Sequence, residues 1–562
     1  MSFALSAGVT GLQAHQKMLD IAGNNLANIN TTAFKSKTIN FAELMTETIK
    51  KASPPTETVG GTNPQQMGGG VEVSSVAPNM AQGNIVSTGN PLDLAIEGEG
   101  YFVVNDGSQD LYTRAGSFAV DSSSYLVDPT NGYHVQRTGS VGESDGFQIA
   151  GDSNIRVPYD VAMAAKATTE VTVAGNLSAD AVLSTPQTNV LTANVSYTTG
   201  NGVTALPTVE LDQLDQFSGT LGTAPTITAS GSDPSGNALV DAAGLTVDGT
   251  TTLQDVIDHL NNNVLTGTEQ VASLVSGKIR VTDVASGYSL SDIALTWDPD
   301  DGDGTVTMPT YFENTTVGGD HVKHLNTTIY DSQGGAHVLA AAFTRTSTSN
   351  AWDMVLASVT GNISGLTSGN RRIRGIEFSP SDGSYSGLDT AIGDTAQFTV
   401  TFAHDSSNPQ TISIAMGTTG QFDGLTQFAG NSTAVAREQD GYEAGRLATV
   451  FVDQEGTIIG AFSNGIKKDI ATTQITLFQN PMALESVGGN YFDFSANSGA
   501  PVATQALTGG AGSIRGGALE KSNADVATEF VRMIQAQNGF QASARTIRVA
   551  NDILRELTNI IR

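Results

Sequence analysis

Residues 519–561, LEKSNADVATEFVRMIQAQNGFQASARTIRVANDILRELTNII, place Leu519, Val526, Met533, Phe540, Ile547, Leu554 and Ile561 seven positions apart, with Phe530, Ala544 and Leu557 alongside. An apolar side chain at every seventh position is the seam of a helix that packs along a second helix. Asp525 or Ser522 is suited to cap the start, and Gly539 inside the run costs about 1 kcal/mol relative to Ala. The opposite end of the chain repeats the spacing. Leu5, Leu12, Leu19 and Leu26 lie seven apart, with Val9 and Ala22 between them. Two matching seams at the extremes of one sequence predict terminal helices that pair with each other or with copies from other subunits.

Between the ends the pattern changes to strands. LDLAIEGEGYFVV (92–104), AAFTRTSTSNAWDMVLASV (341–359) and ATVFVDQEGTIIGAF (448–462) cluster β-branched and aromatic residues between Gly, Asn and Asp turns. One amphipathic helix interrupts them at TTLQDVIDHLNNNV (251–264), inside a Thr-, Gly- and Asp-rich stretch from 182 to 322 that reads as an insertion. Glycine at 62 of 562 residues supplies the turns that many short strands need. The predicted fold class is therefore multidomain and mainly β, with an α-helical coiled-coil domain built from the N- and C-terminal helices. Both ends can meet in one domain only if every domain between them is entered and left by paired crossings, which makes those domains discontinuous and nested.

Charge narrows the partners. The chain carries 56 acids against 27 bases, a formal charge of -29. Residues 52–517 hold 16 of the bases and 48 of the acids, so the middle is acidic and the ends are nearly neutral. Such a body repels phosphate backbones and anionic membranes, which excludes nucleic acid and membrane surfaces as partners. The absence of cysteine removes disulfides, thiolate metal sites and thiol catalysis. The opening MSFALSAGVTGLQAH has no base before Lys17, and its apolar residues are interrupted by Ser6, Gly8, Thr10 and Gly11, so no cleaved signal peptide is expected.

Candidate chemical sites are few. Asp320, His321 and His324 have metal-ligand spacing for a helix, but GGDHVKHLNTTIYD reads as turn and strand, which sends His321 and His324 to opposite faces. DPDDGDG (298–304) resembles a calcium loop. Aligning Gly304 to the turn, however, puts Pro299 at the first ligand and Thr310 where a bidentate Glu belongs. No nucleophile, base and orienting group accompany Asn24, Asn25, Thr31 and Thr32, which suit helix termination better. No catalytic residue, metal or cofactor is predicted, and the chain is not expected to be an enzyme.

Three further stretches carry a resemblance. GNNLANINTTAFK (23–35) contributes Asn24, Asn25, Asn28, Asn30, Thr31 and Phe34, with Ala33 where Gly is usual. NPQQMGGGV (63–71), QGNIVSTGNPLDLAIEGEGYFVV (82–104) and YTRAGSF (112–118) form the second. LEKSNADVATEFVRMIQAQNGFQASARTI (519–547), with Ser522 and Asn523, forms the third. Together they resemble the bacterial flagellar rod and hook axial protein family. VAGNLSADA (173–181), TTIYDSQGGAHVL (327–339) and GTIIGAFSNGIKKDIATTQITLFQNPMALESVGGNYF (456–492) look like its hook-type members, which are longer than rod subunits.

The resemblance implies a self-assembling structural subunit of a flexible tubular joint that transmits motor torque from rod to filament. It implies a homopolymer, with rod, hook-cap and hook–filament junction proteins and the type III flagellar export apparatus as further partners, and an extracellular location in the basal body–hook complex. A distal rod protein and a secreted β-rich adhesin are the alternatives. The implied layout is a terminal helical inner-tube domain (1–30 and 525–562), a connecting segment (31–72 and 500–524), a β domain shared with rod proteins (73–145 and 436–499) and a hook-type β domain (146–181 and 323–435); the resemblance does not extend over 182–322, which is read from its own pattern as an inserted outer α+β domain. Leu5, Leu12, Leu19, Leu26, Val526, Met533, Phe540, Ile547, Leu554 and Ile561 are the expected inter-subunit seams.

Overall fold

The computed structural model describes residues 3–560 apart from positions 160, 181–182, 184, 303 and 367–370, without the side chains of 559 and 560. Ile561 of the C-terminal seam and Asp303 of the acidic turn lie outside the described residues. The chain divides into two compact units, residues 1–163 with 446–562, and residues 164–445. The structure is mostly β, with one long helix at each end. No described helix is long and apolar enough to cross a membrane.

In the first unit, helix α1 (Phe3–Ala27) lies against the last helix of the chain, Val526–Ile560. Asp525 caps the latter, its carboxylate accepting from the Thr528 backbone N–H and hydroxyl at 3.1 and 2.6 Å. Ser522, the other candidate cap, instead accepts from the Ala524 N–H at 3.2 Å. The β body is closed by pairing segments that precede the second unit with segments that follow it. Leu94–Glu97 pairs with Ser513–Gly516, Ile85–Ser87 with Ala518–Glu520, and Arg137–Thr138 with Lys467–Thr473, all antiparallel. Apolar clustering in LDLAIEGEGYFVV is accounted for here, because Leu94, Ile96 and Phe102 are fully buried. Phe102 meets Phe118 edge-on at 5.4 Å.

Within 500–524, Val502–Thr504, Ser513–Gly516 and Ala518–Glu520 are strands of the β body. The two units part at 163/164 and 445/446. Ala162–Met163 and Gly445–Val452 lie at one edge of the sheet that contains Thr457–Phe462, and their backbone pairing holds both segments in the first unit. Residues 31–72 also hold strands, with Lys37–Glu43 paired to Val71–Pro78 and Thr46–Lys50 to Gln65–Gly68.

The second unit contains a five-stranded antiparallel sheet from Val322 to Leu388. It packs on a sheet ordered Ile363–Gly365, Gln397–Phe402, Gln410–Ala415, Glu170–Ser178 and Leu425–Phe428. Trp352, Phe343, Met354, Ile329, Phe398 and Ile412 fill the space between them. Strands between Val190 and Thr316 pair only with one another among the described residues. They close on a separate core that includes Leu191, Ile227, Val256, Leu260 and Phe312. Helix α2 (Leu253–His259) belongs to this stretch. Thr252 and Asp255 form its capping box, and a wider turn, Leu260–Val264, continues it. The chain enters and leaves side by side, since Gln187 and Gly319 exchange backbone hydrogen bonds of 2.8 and 3.2 Å.

Many carboxylates of this unit are turn acceptors, which sets its acid sensitivity. Burial opposes ionisation of Asp440, but the Lys166 ammonium, the Thr169 hydroxyl and two backbone N–H groups outweigh it and hold the carboxyl far below the usual carboxylate range. At Asp423 the Thr418 backbone N–H, then its hydroxyl, lowers the pKa, and Thr223 acts in the same order on Asp301. A pKa depressed by folding stabilises the folded state above the unfolded value and loses that contribution as pH falls through the folded one. The melting temperature of 164–445 is therefore expected to hold from pH 7 to about 5 and to fall steeply below about 4. A flat profile down to pH 3 in scanning calorimetry would count against this account.

Candidate assembly surface

The residues singled out for chemistry do not assemble a reaction centre. His321 is buried, with Nε2 at 2.8 Å from the Ser432 hydroxyl and its ring edge-on to Trp352, whereas His324 is exposed on the strand Val322–Tyr330. In the acidic turn, Asp301 accepts from the N–H and hydroxyl of Thr223 at 2.6 and 2.7 Å, and Asp300 from the Ala224 N–H at 3.2 Å. Among the described residues no three His, Asp or Glu side chains are grouped to hold a metal ion.

What the ends of the chain build is a packing surface. The last helix, now α3 (Val526–Ile560), runs antiparallel to α1: Gly8 faces Ile547, Gly11 faces Ser543 and Gly539 faces the His15 ring. A Cβ would meet Ile547 Cγ1 at 2.8 Å on Gly8, Ser543 Oγ at 2.9 Å on Gly11 and the imidazole at 2.4 Å on Gly539. The helical cost of Gly539 thus permits a close approach. The buried face of α1 is Gly8, Gly11, Ala14, Ala22 and Asn25, and that of α3 includes Glu529, Ala536 and Ala550.

The leucine seam sits beside this contact. Leu5, Leu12, Leu19 and Leu26 are half-buried, as are Met533 and Ile547, while Val526, Phe540 and Leu554 are exposed. A heptad drifts by about 20° per repeat on a straight 3.6-residue helix and stays on a partner only where the helices supercoil; in this pair the close contact falls instead on the face of Gly8, Gly11 and Ala14. On α3, Ile534, Val549, Ile553 and Leu557 are more than 45 % exposed. With Ala4 and Ala542, the last three line a groove of about 550 Å³.

The motif asparagines anchor the helix ends to the β body. Asn25 is fully buried; its Nδ2 donates to Lys37 O at 2.8 Å and its Oδ1 accepts from Lys37 N at 2.9 Å. Asn28 donates to Asn24 O at 2.9 Å and accepts from the Thr31 hydroxyl at 3.1 Å, closing the last turn of α1. Asn523 Oδ1 accepts from Ser36 N at 2.7 Å, and its Nδ2 donates to Asn79 O and Ala81 O at 2.7 and 2.9 Å. Phe34 accepts through its carbonyl from Asn523 N at 3.2 Å, and Asn30 is exposed. Ala33 adopts φ +55°, the left-handed conformation that explains why glycine suits this position.

One cluster was not legible in the sequence. Glu520 Oε1 accepts from Lys35 Nζ and Gly83 N, each at 2.7 Å, and Arg114 Nη1 lies 3.6 Å from Oε2, with all three side chains under 8 % exposed. Arg114 Nη2 also donates to Gly98 O at 2.8 Å, and its guanidinium covers the Tyr101 ring. Burial pulls the Lys35 pKa below the usual lysine range, against the opposing effect of Glu520. Glu520 stands beside Leu519 in the segment that opens the C-terminal seam, where a charge preceding an amphipathic run reads as solvated.

Comparison with known proteins follows this layout. Residues 5–35 match the model described as flagella basal body rod protein, and 95–179 the flagellar hook protein FlgE/F/G D1 domain. Residues 300–442 match the flagellar basal body protein FlaE D2 domain, and 515–560 the flagellar basal body rod FlgEFG protein C-terminal model. The flagellar hook protein FlgE of Treponema pallidum is 31 % identical, with 100 % of both chains covered. That of Borreliella burgdorferi is 28 % identical, again over 100 % of both. The flagellar basal-body rod protein FlgG of Bacillus subtilis is 36 % identical, but over only 27 % of this chain and 60 % of that protein.

Proposed function

Because the chain belongs to the flagellar hook protein FlgE family, we propose that the α1–α3 pair is the unit from which the inner wall of its polymer is built. The protein is a structural subunit of the flagellar hook, the joint that carries motor torque from rod to filament. One observation carries the reading of the helices: after they have paired with each other, α3 still presents Ile534, Val549, Ile553 and Leu557 to solvent. Coiled-coil packing of these side chains against neighbouring copies removes that surface from water, at about 25 cal/mol per Å² of apolar area. The seam residues Leu5, Leu12, Leu19, Leu26, Val526, Met533, Phe540, Ile547, Leu554 and Ile561 are assigned to these contacts.

In this reading torque passes through the helical wall, while glycine-rich, acidic outer domains shift past one another as the tube bends. Rod, hook-cap and junction proteins adjoin the polymer at its ends, the subunit reaches its extracellular site through the type III export apparatus, and no catalysis is involved. A Leu554→Asp/Leu557→Asp chain is expected to leave both units folded and to abolish hooks in electron micrographs of cells that depend on it. Hooks of normal number and length would refute the role given to α3. Curved rather than straight tubes in the unaltered strain separate a hook from a distal rod.

The stretch 182–322 is assigned as a separately folding outer domain, supported by its own core and by the adjacent crossings at Gln187 and Gly319. A fragment spanning 186–320 is expected to unfold in one cooperative transition. Limited proteolysis of the whole chain is expected to release it by cuts near 180–186 and 318–324. A fragment without a cooperative transition would show that the rest of the unit is needed to fold it.

A further inference from the structure

Among the described residues of 164–445, Phe422 and Phe428 are the only exposed aromatic side chains; the others are buried or half-buried. Phe422 is 58 % exposed and Phe428 46 %, and the two rings stack at 6.0 Å between centroids with 25° between planes. The pair is held in place. Phe428 lies over Gly383, where a Cβ would come within 3.1 Å of its Cε1. The loop that carries Phe422 is tied by Asp423, which accepts from the N–H and hydroxyl of Thr418 at 2.8 and 2.7 Å. The loop also closes through backbone contact between Gly417 and Gly424, so tight that a Cβ on Gly424 would sit 2.4 Å from Gly417 Cα. A rigid aromatic pair in a fixed loop loses little conformational entropy on docking, which is the character of an interface anchor.

We infer that the stacked Phe422–Phe428 pair is a docking point at which the outer unit of one subunit contacts a second copy of this chain in the hook. The inference rests on the hook-subunit reading, which makes other copies of this chain the neighbours of this surface. Charge favours an apolar contact. Residues 164–445 hold nine Lys or Arg against thirty Asp or Glu, so like units repel, and a contact between neighbours is made most readily where no charge has to be matched. The contact is heterologous, the aromatic pair meeting a different surface of the next copy, as an open helical polymer requires.

The test uses assembled hooks. In hooks isolated from cells carrying Phe422→p-benzoylphenylalanine, irradiation is expected to join two copies of this chain through position 422. In parallel, Phe422→Ser/Phe428→Ser is expected to leave the melting of the 164–445 unit unchanged, and to shorten the survival of isolated hooks on heating about ten-fold or more. Absence of hooks with an unchanged monomer transition has the same meaning. Double-variant hooks that survive as long as unaltered ones, or a cross-link only to a chain other than this one, would overturn the inference. If the unaltered chain forms no hooks, it is the hook-subunit reading that fails instead.

Discussion

Replacing Glu520 by alanine is expected to lower the melting temperature of the 1–163/446–562 unit by about ten degrees, which corresponds to a loss of about 3–5 kcal/mol. The carboxylate is fully buried between Lys35 and Arg114, whose side chains are 2 % and 7 % exposed. Removing it leaves two cations out of water without a counter-charge and strips the Gly83 N–H of its acceptor. Much of the loss comes from what is left unpaired, so Lys35→Met/Arg114→Met/Glu520→Leu is expected to recover most of it. The transition of 164–445 serves as an internal reference and is expected not to move. The consequence reaches assembly, because the Ala33 N–H is held by the Glu520 carbonyl at 2.8 Å and Lys35 follows two residues later. Loosening this knot frees both helix bases, and hooks are expected to be few or absent. An unchanged first transition in calorimetry would mean that the triad contributes nothing.

A second large effect is expected from Gly8→Leu/Gly11→Leu. Taken alone, each substitution strengthens α1 as a helix by about 0.8–1 kcal/mol. Against α3 each is an overpacking, because the added Cβ atoms fall 2.8 Å from Ile547 Cγ1 and 2.9 Å from Ser543 Oγ. Side chains larger than methyl push the helices apart, at about 1–3 kcal/mol per site. Packing wins over propensity here, since loss of contact along the pair also releases the buried Ala14, Ala22, Ala536 and Ala550. The double variant is expected to lose amide protection across 3–27 and 526–558 and to form no hooks, while the β body melts normally. Gly23→Leu is the control: no heavy atom lies within 4 Å of its Cβ position, and the helix pair is expected to persist. Hooks of ordinary length from the Gly8/Gly11 variant would show that close approach is dispensable.

These two experiments fall on opposite sides of what can be read from residue order. Seven-residue spacing at both ends was enough to find α1 and α3, and the alternation of β-branched residues with Gly and Asp turns was enough to find the β-rich middle. The capping residue Asp525 was likewise visible, because a cap involves only residues three positions apart. Local pattern reports which side chains leave water and which backbone groups need a partner close by. It does not report the partner across the fold. The leucines mark an apolar stripe, yet the helices touch where Gly8, Gly11 and Gly539 admit Ile547, Ser543 and His15, since helix separation is set by side-chain volume and not by hydrophobicity. Lys35 and Glu520 meet across 485 positions. No periodicity connects them. They are brought together because Ile85–Ser87 pairs with Ala518–Glu520 and Leu94–Glu97 with Ser513–Gly516, a consequence of the whole β body closing on itself, and only inside that closed, water-free space does a single carboxylate between two cations become a determinant of stability.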